Sequence, residues 1–182
     1  EEGDAEAMGP RFVGGQTFLI PKTTQVMSGI TVVGDRLYFG TQFSRSTPEG
    51  NLVCMDRETG EVKWKFGDDD RMLPVFCTPT VRDGKAYCGE GLHTDKGCRM
   101  FCVNAADGTP AWETPCETTY NPSSPVVDRQ NVIFEGGSPG EKAVKIEKDG
   151  DRFVAKDLWT NKDNAVIYNT PVLKNGLLYG LS

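Results

Sequence analysis

Apolar and polar residues alternate along this chain in short bursts, and no stretch keeps helical spacing for several turns. Between residues 77 and 113 the bursts read Cys77–Val81, Lys85–Gly89, Cys98–Val103 and Pro110–Glu113, each mixing β-branched, aromatic and small residues. Runs of that length, bounded by Gly, Asp, Asn or Pro, predict strands. Asp83-Gly84, Asp107-Gly108 and Asp149-Gly150 supply residues that accept the positive φ of a tight turn. The pattern therefore predicts an antiparallel meander of four strands over these residues.

The meander recurs. Thr78-Pro79-Thr80-Val81, Ser124-Pro125-Val126-Val127 and Thr170-Pro171-Val172-Leu173 open successive units, with Pro79, Pro125 and Pro171 evenly spaced. Ile30-Thr31-Val32-Val33 holds the same place in an earlier unit without the proline. A polar turn and then an aromatic follow each opening, at Tyr38, Tyr87, Phe134 and Tyr179, and Trp64, Trp112 and Trp159 close the units at nearly equal intervals. Asp56–Trp64 (DRETGEVKW) and Asn104–Trp112 (NAADGTPAW) share one frame, in which Gly60 and Gly108 turn a hairpin just before the tryptophan. A repeat of about 40–50 residues holding four antiparallel strands predicts an all-β fold, the β-propeller. One such sheet cannot bury both faces alone, so neighbours stack. Each tryptophan is expected to fill the gap to the next sheet, where burying the ring is worth a few kcal/mol. The units span about 28–66, 77–114, 123–160 and an incomplete 168–182. Residues 1–27 read as an N-terminal extension, and the first ten, acidic and small, are expected to lack order.

Charge narrows the partners. The 182 residues carry 20 Lys and Arg against 26 Asp and Glu, a formal net charge of −6. That balance repels phosphate backbones, so nucleic acid is not an expected partner. No apolar run reaches the roughly 18–20 residues of a membrane helix, so no insertion is expected. The chain opens at Glu1 with no apolar leader and reads as a processed or cropped product.

The recurring Ser/Thr-Pro-x-Val, the Tyr-x-Gly of Tyr38-Phe39-Gly40 and Tyr87-Cys88-Gly89, and the Leu-x-Cys-x-Asp-x-x-Thr-Gly-x-x-x-Trp of Leu52–Trp64 resemble the repeat of PQQ-like (quinoprotein alcohol dehydrogenase-like) β-propellers. The resemblance runs from about residue 28 to 182 and is strongest in the first two units; the third carries no Thr-Gly in Lys145–Gly150 and has a longer outer run, Arg152–Trp159. It implies a wheel of about seven or eight blades, of which this chain holds three and a half, as a fragment or as a piece that partners complete. Some members of the family are binding or scaffolding propellers without a cofactor. Others are dehydrogenases that hold pyrroloquinoline quinone (PQQ) and calcium, the quinone stacked on a disulfide of two adjacent cysteines. Cys54, Cys77, Cys88, Cys98, Cys102 and Cys116 include no adjacent pair. The expectation is a non-catalytic propeller without a cofactor, periplasmic or extracellular, that engages a protein or peptide. Its ring would be completed by further blades of the same chain or by a second copy, and a truncated quinoprotein oxidoreductase is the alternative.

Candidate chemistry outside the repeat is sparse. Cys54 and Cys102 share a repeat position and read as small core residues, while Cys88 with Cys98 and Cys77 with Cys116 are potential disulfide partners. Cys98 and Cys102 share parity on one strand and lie about 13 Å apart at roughly 3.3 Å per residue, too far for one zinc ion. Asp68-Asp69-Asp70 lacks the alternation of a calcium loop and reads as a solvated charge run. His93 is the one histidine, and no Ser/His/Asp set can be assembled around it from spacing.

Topology does point to a face. Alternate connections of a meander emerge at the same end, and here one end collects the long ones: Thr41–Gly50, Gly67–Phe76, Glu90–Gly97 and Thr114–Asn121. Long loops on a rigid scaffold are where binding concentrates. Arg45, Arg71, His93 and Asp95 are the expected polar contacts there.

Overall fold

The computed structural model describes residues 8–13, 16–21, 25–42, 49–67, 71–91, 97–116, 123–135, 140–163, 166 and 169–181. Among them every regular element is a strand. The first complete sheet is β3 (Gln25–Val33), β4 (Arg36–Gln42), β5 (Gly50–Asp56) and β6 (Val62–Phe66). The second is β7 (Thr80–Arg82), β8 (Lys85–Gly89), β9 (Arg99–Asn104) and β10 (Pro110–Pro115). The third is β11 (Val126–Asp128), β12 (Asn131–Glu135), β13 (Glu141–Asp149) and β14 (Arg152–Asn161). Each is an antiparallel meander in chain order, and a two-stranded sheet of β15 (Val172–Lys174) and β16 (Leu177–Tyr179) follows. This is part of a β-propeller.

The pattern did not reveal one element. Within the expected N-terminal extension, β1 (Met8–Val13) and β2 (Gln16–Pro21) form an antiparallel hairpin with its own sheet. Neither run shows the apolar alternation of the later units, which is why it read as an extension. The rest of the run expected to lack order, residues 1–7, lies outside the described residues.

The repeat motifs have physical jobs that the sheet registers make plain. Cys54 pairs with Trp64, Cys102 with Trp112 and Ala143 with Trp159, so a small residue always faces the tryptophan across the strand. Next to each pairing the outer strand slips register by a bulge. Tyr38 stands 6.0 Å from Trp64 at 56°, and Tyr87 stands 6.1 Å from Trp112 at 55°. Nearly identical geometry at equivalent positions is what a rotation from one sheet to the next produces.

Contacts between sheets repeat too. The Thr31 hydroxyl donates to the Pro79 carbonyl, and the Thr80 hydroxyl donates to the Pro125 carbonyl at 2.5 Å. The opening Ser/Thr-Pro thus presents a carbonyl to the preceding sheet, and the rigid proline φ holds it there. Farther out, the turn after β9 is gripped from the first sheet: Ala105 O accepts from Trp64 Nε1 at 3.2 Å, the Tyr38 hydroxyl at 3.1 Å and Arg36 at 3.1 Å. Gly108 in that turn has φ 75°, and a Cβ there would sit 2.8 Å from the Trp64 ring. Trp64 and Trp112 are buried at 8% and 7% exposure.

Trp159 differs. It is 42% exposed, and it lines a cavity together with Leu177 and Leu178 of β16. The physical reason lies in the partner. Trp64 packs on the hairpin of the third and fourth strands of the second sheet, and Trp112 shares a cluster with Val144, Ile146 and Ala155 of the β13–β14 hairpin. Among the described residues the sheet after Trp159 consists of β15 and β16, and neither belongs to a hairpin of that kind.

The cysteines are core residues. All six are buried and none is in a disulfide. The two suggested pairings fail on register: Cys88 faces Phe101 rather than Cys98, and Cys77 bonds through its sulfur to the Gly89 backbone. Burial pushes the Cys77 and Cys102 thiols up to about 12 and raises Cys88 well above the ordinary range.

Candidate binding face

Of the long connections, the best described is the crossing from the first sheet to the second. β6 ends at Phe66, and residues 71–75 then run back across the ends of inner strands. The Met72 N–H donates to Gly67 O at 3.1 Å, and the Met72 carbonyl accepts from Gly50 N at 2.8 Å. Val75 N donates to Thr41 O at 3.2 Å, and Gly91 N donates to Pro74 O at 2.9 Å. Met72 and Val75 are buried beneath this path at 1% and 0% exposure. Backbone bonds to three strand ends over an apolar floor make the crossing a fixed platform.

A buried ion pair locks it. Glu90 directly follows β8, with its side chain 1% exposed. One carboxylate oxygen accepts from Arg99 Nε at 2.7 Å, and the other accepts from the Leu73 backbone N–H at 2.7 Å. Arg99 opens β9, directly across the hairpin, and its guanidinium lies 4.6 Å from the Phe101 ring centroid. Its remaining donors reach Glu113 at 3.3 Å and the Arg71 carbonyl at 3.5 Å. Burial pushes the Glu90 carboxyl up; the hydrogen bonds from Arg99 and Leu73 oppose that shift without cancelling it. A carboxylate so enclosed has no open side for a substrate. Its effect is to fix where the backbone of residues 71–73 runs.

Of the four residues expected to make polar contacts, Arg71 lies on this platform with its side chain exposed. Arg45, His93 and Asp95 lie outside the described residues, as does Asp68-Asp69-Asp70. Sequence reasoning did not find Glu90 and Arg99. The available signal was an acid directly after a strand-ending glycine, at the position Thr41 holds in the first unit, with an arginine opening the facing strand.

A second buried acid has a different character. In the first two sheets the residue two before the Trp-facing cysteine is Leu52 or Met100, each 0% exposed. Glu141 takes that position in the third sheet, 3% exposed, directly across the ladder from Glu135 at 5%. Neither Glu141 side-chain oxygen has a hydrogen-bond partner among the described residues. Burial raises its carboxyl, with the nearby Val166 backbone opposing the rise.

A family model described as outer membrane protein assembly factor BamB matches residues 13–179. This chain belongs to the PQQ-like β-propeller family. No curated protein matches it. Among solved structures, BamB from Moraxella catarrhalis is similar at 14% identity with a TM-score of 0.62, over 91% of this chain and 46% of that one. Quinohemoprotein alcohol dehydrogenase from Comamonas testosteroni is similar at 18% identity with a TM-score of 0.51, over 76% of this chain and 21% of that one. At such identities the likeness is one of fold, and this chain spans less than half the length of either structure. The cysteines are separate buried thiols, and among the described residues no three His, Cys, Asp or Glu side chains converge. No helix among them is long and apolar enough to cross a membrane.

Proposed function

We propose that this chain is a non-catalytic binding or scaffolding propeller segment that engages a protein or peptide through its long-connection end. The observation that carries the reading is the platform of residues 71–75, held by Glu90 and Arg99 and by backbone bonds to three strand ends. Order of that kind, at an end with Arg71 exposed, lowers the conformational cost of holding a partner. The family description, an outer membrane protein assembly factor, supports a client that is itself a strand-forming polypeptide, and with it a periplasmic or extracellular setting. Arg45, His93 and Asp95, carried by the two long hairpin connections at that end, are the further contacts in this reading.

Hydrogen exchange tests it, with an extended peptide from an outer-membrane β-barrel strand as the probe. Protection is expected at residues 71–76 and 90–99, and Arg71→Glu should weaken binding about tenfold. Protection confined to the tight-turn end, or unchanged affinity in the variant, would overturn the assignment. Dye-linked alcohol oxidation on adding pyrroloquinoline quinone and calcium would overturn the non-catalytic reading.

A further inference from the structure

The amides of the crossing between the first and second sheets are held in two different ways. Those of Met72 and Val75 donate to backbone carbonyls, of Gly67 and Thr41. The Leu73 amide donates to a side chain, the Glu90 carboxylate, at 2.7 Å. A backbone carbonyl keeps its acceptor strength at any working pH; a carboxylate loses its charge and part of its acceptor capacity when it takes up a proton. One bond of the platform is therefore open to acid while its neighbours are not.

Protonation acts unequally on the two carboxylate oxygens. Oε1 accepts from Arg99 Nε, and Oε2 accepts from Leu73. Arg99 stays charged, so a proton avoids the oxygen that faces the guanidinium and goes to Oε2. A protonated carboxyl oxygen is a poor acceptor, and the charge that strengthened the Leu73 bond is gone. Arg99 is not stranded by the change. Its other donors reach Glu113 at 3.3 Å and the Arg71 carbonyl at 3.5 Å, and its guanidinium lies over the Phe101 ring. Among the described residues, the charged and titratable groups that face Glu90 are Arg99 on β9, Glu113 on β10 beyond it, the Cys88 thiol on β8 and Arg71 on the crossing. Cys88 is pushed well above the ordinary thiol range and stays neutral in acid.

We propose that Glu90 is an acid-operated latch: taking up a proton releases the Leu73 amide and loosens residues 71–73, while Val75 and the sheets on either side stay held. Met72 and Val75, buried at 1% and 0% exposure, keep the floor of the path in place in both states. Burial supplies the sign. It raises the Glu90 carboxyl above the usual 4.5, against the opposing hydrogen bonds from Arg99 and Leu73. Between 4.5 and the raised value the folded chain binds more protons than the unfolded one, so lowering the pH through that window favours the fold even as the latch opens. A carboxylate held below its usual value would do the reverse, and its protonation would weaken the whole fold. Use of the latch to let a partner go in mild acid rests on the function proposed above; the opening itself does not.

The test is amide NMR with hydrogen exchange on the full 182-residue chain between pH 7.5 and pH 4.5, with no partner added. The Leu73 resonance is expected to titrate with a midpoint above 4.5. Its protection, corrected for the intrinsic exchange rate, should fall about tenfold relative to that of Val75. Glu90→Gln, neutral at every pH, should show the low Leu73 protection already at pH 7.5 and no titration there. Arg99→Gln should move the midpoint upward, because the guanidinium opposes the rise, and it keeps the question answerable should the first variant lose its fold. A Leu73 amide that does not titrate overturns the proposal. So does a titration that persists in Glu90→Gln, a midpoint unmoved in Arg99→Gln, or equal loss of protection at Leu73 and Val75.

Discussion

Glu141 stands where the equivalent sheets place Leu52 and Met100, and replacing it with leucine should stabilise the protein. Three contributions act in the same direction. Two buried oxygens that have no hydrogen-bond partner within bonding geometry among the described residues are removed, and a buried unsatisfied polar group costs about 1–3 kcal/mol. A leucine side chain gains about 1.5–3 kcal/mol when it goes from water to a buried site, less whatever misfit the new shape brings. Glu135, directly opposite in register, loses an acidic neighbour, and like charges across a ladder are destabilising. The expected net is a gain of about 2–4 kcal/mol at neutral pH. The sign with pH follows from burial. The folded-state carboxyl of Glu141 is raised above its usual 4.5, so between that value and the raised one the native state binds more protons than the unfolded chain. Wild-type stability at this site therefore falls as pH rises through that window, and the advantage of Glu141→Leu grows over the same range. Urea unfolding at fixed protein concentration, at pH 5 and pH 7.5, measures both effects as a rise in midpoint at unchanged slope. A variant that is less stable than wild type by more than about 1 kcal/mol at neutral pH would refute the reasoning, because it would mean the carboxylate has a partner of its own.

Gly108→Ala forces a side chain into φ 75° and against the Trp64 ring, so unfolding should show a loss of about 2–3 kcal/mol; Gly84→Ala, with φ 71° and open space around it, should lose only the backbone part, about 1 kcal/mol. Equal losses in the two variants would remove Trp64 as the reason for the glycine. The six thiols should react with a thiol reagent at pH 8 only after denaturation, since all are buried and Cys77, Cys88 and Cys102 are pushed up by that burial. A thiol in the native chain that reacts within seconds would contradict the packing described for it.

The sequence by itself determined the wheel. Strand periods, Asp-Gly turns, evenly spaced prolines and the Trp cassette are local and repeated, and each has one structural solution that neighbouring units share. That is why Cys54 and Cys102 could be read as small core residues before the Trp facing them was known. What the tertiary structure alone decided were features that depend on one place in the ring. Whether a tryptophan is buried depends on what the next sheet brings against it, as the β13–β14 hairpin brings Val144, Ile146 and Ala155 against Trp112. Glu90 and Arg99 became a pair because a hairpin register set them opposite each other, with Leu73 delivered from another sheet. Glu141 became a buried acid because the register put it at a position that is apolar twice elsewhere. Periodicity encodes what every blade has in common; burial, pairing and cover are properties of neighbours, and neighbours exist only once the chain has folded.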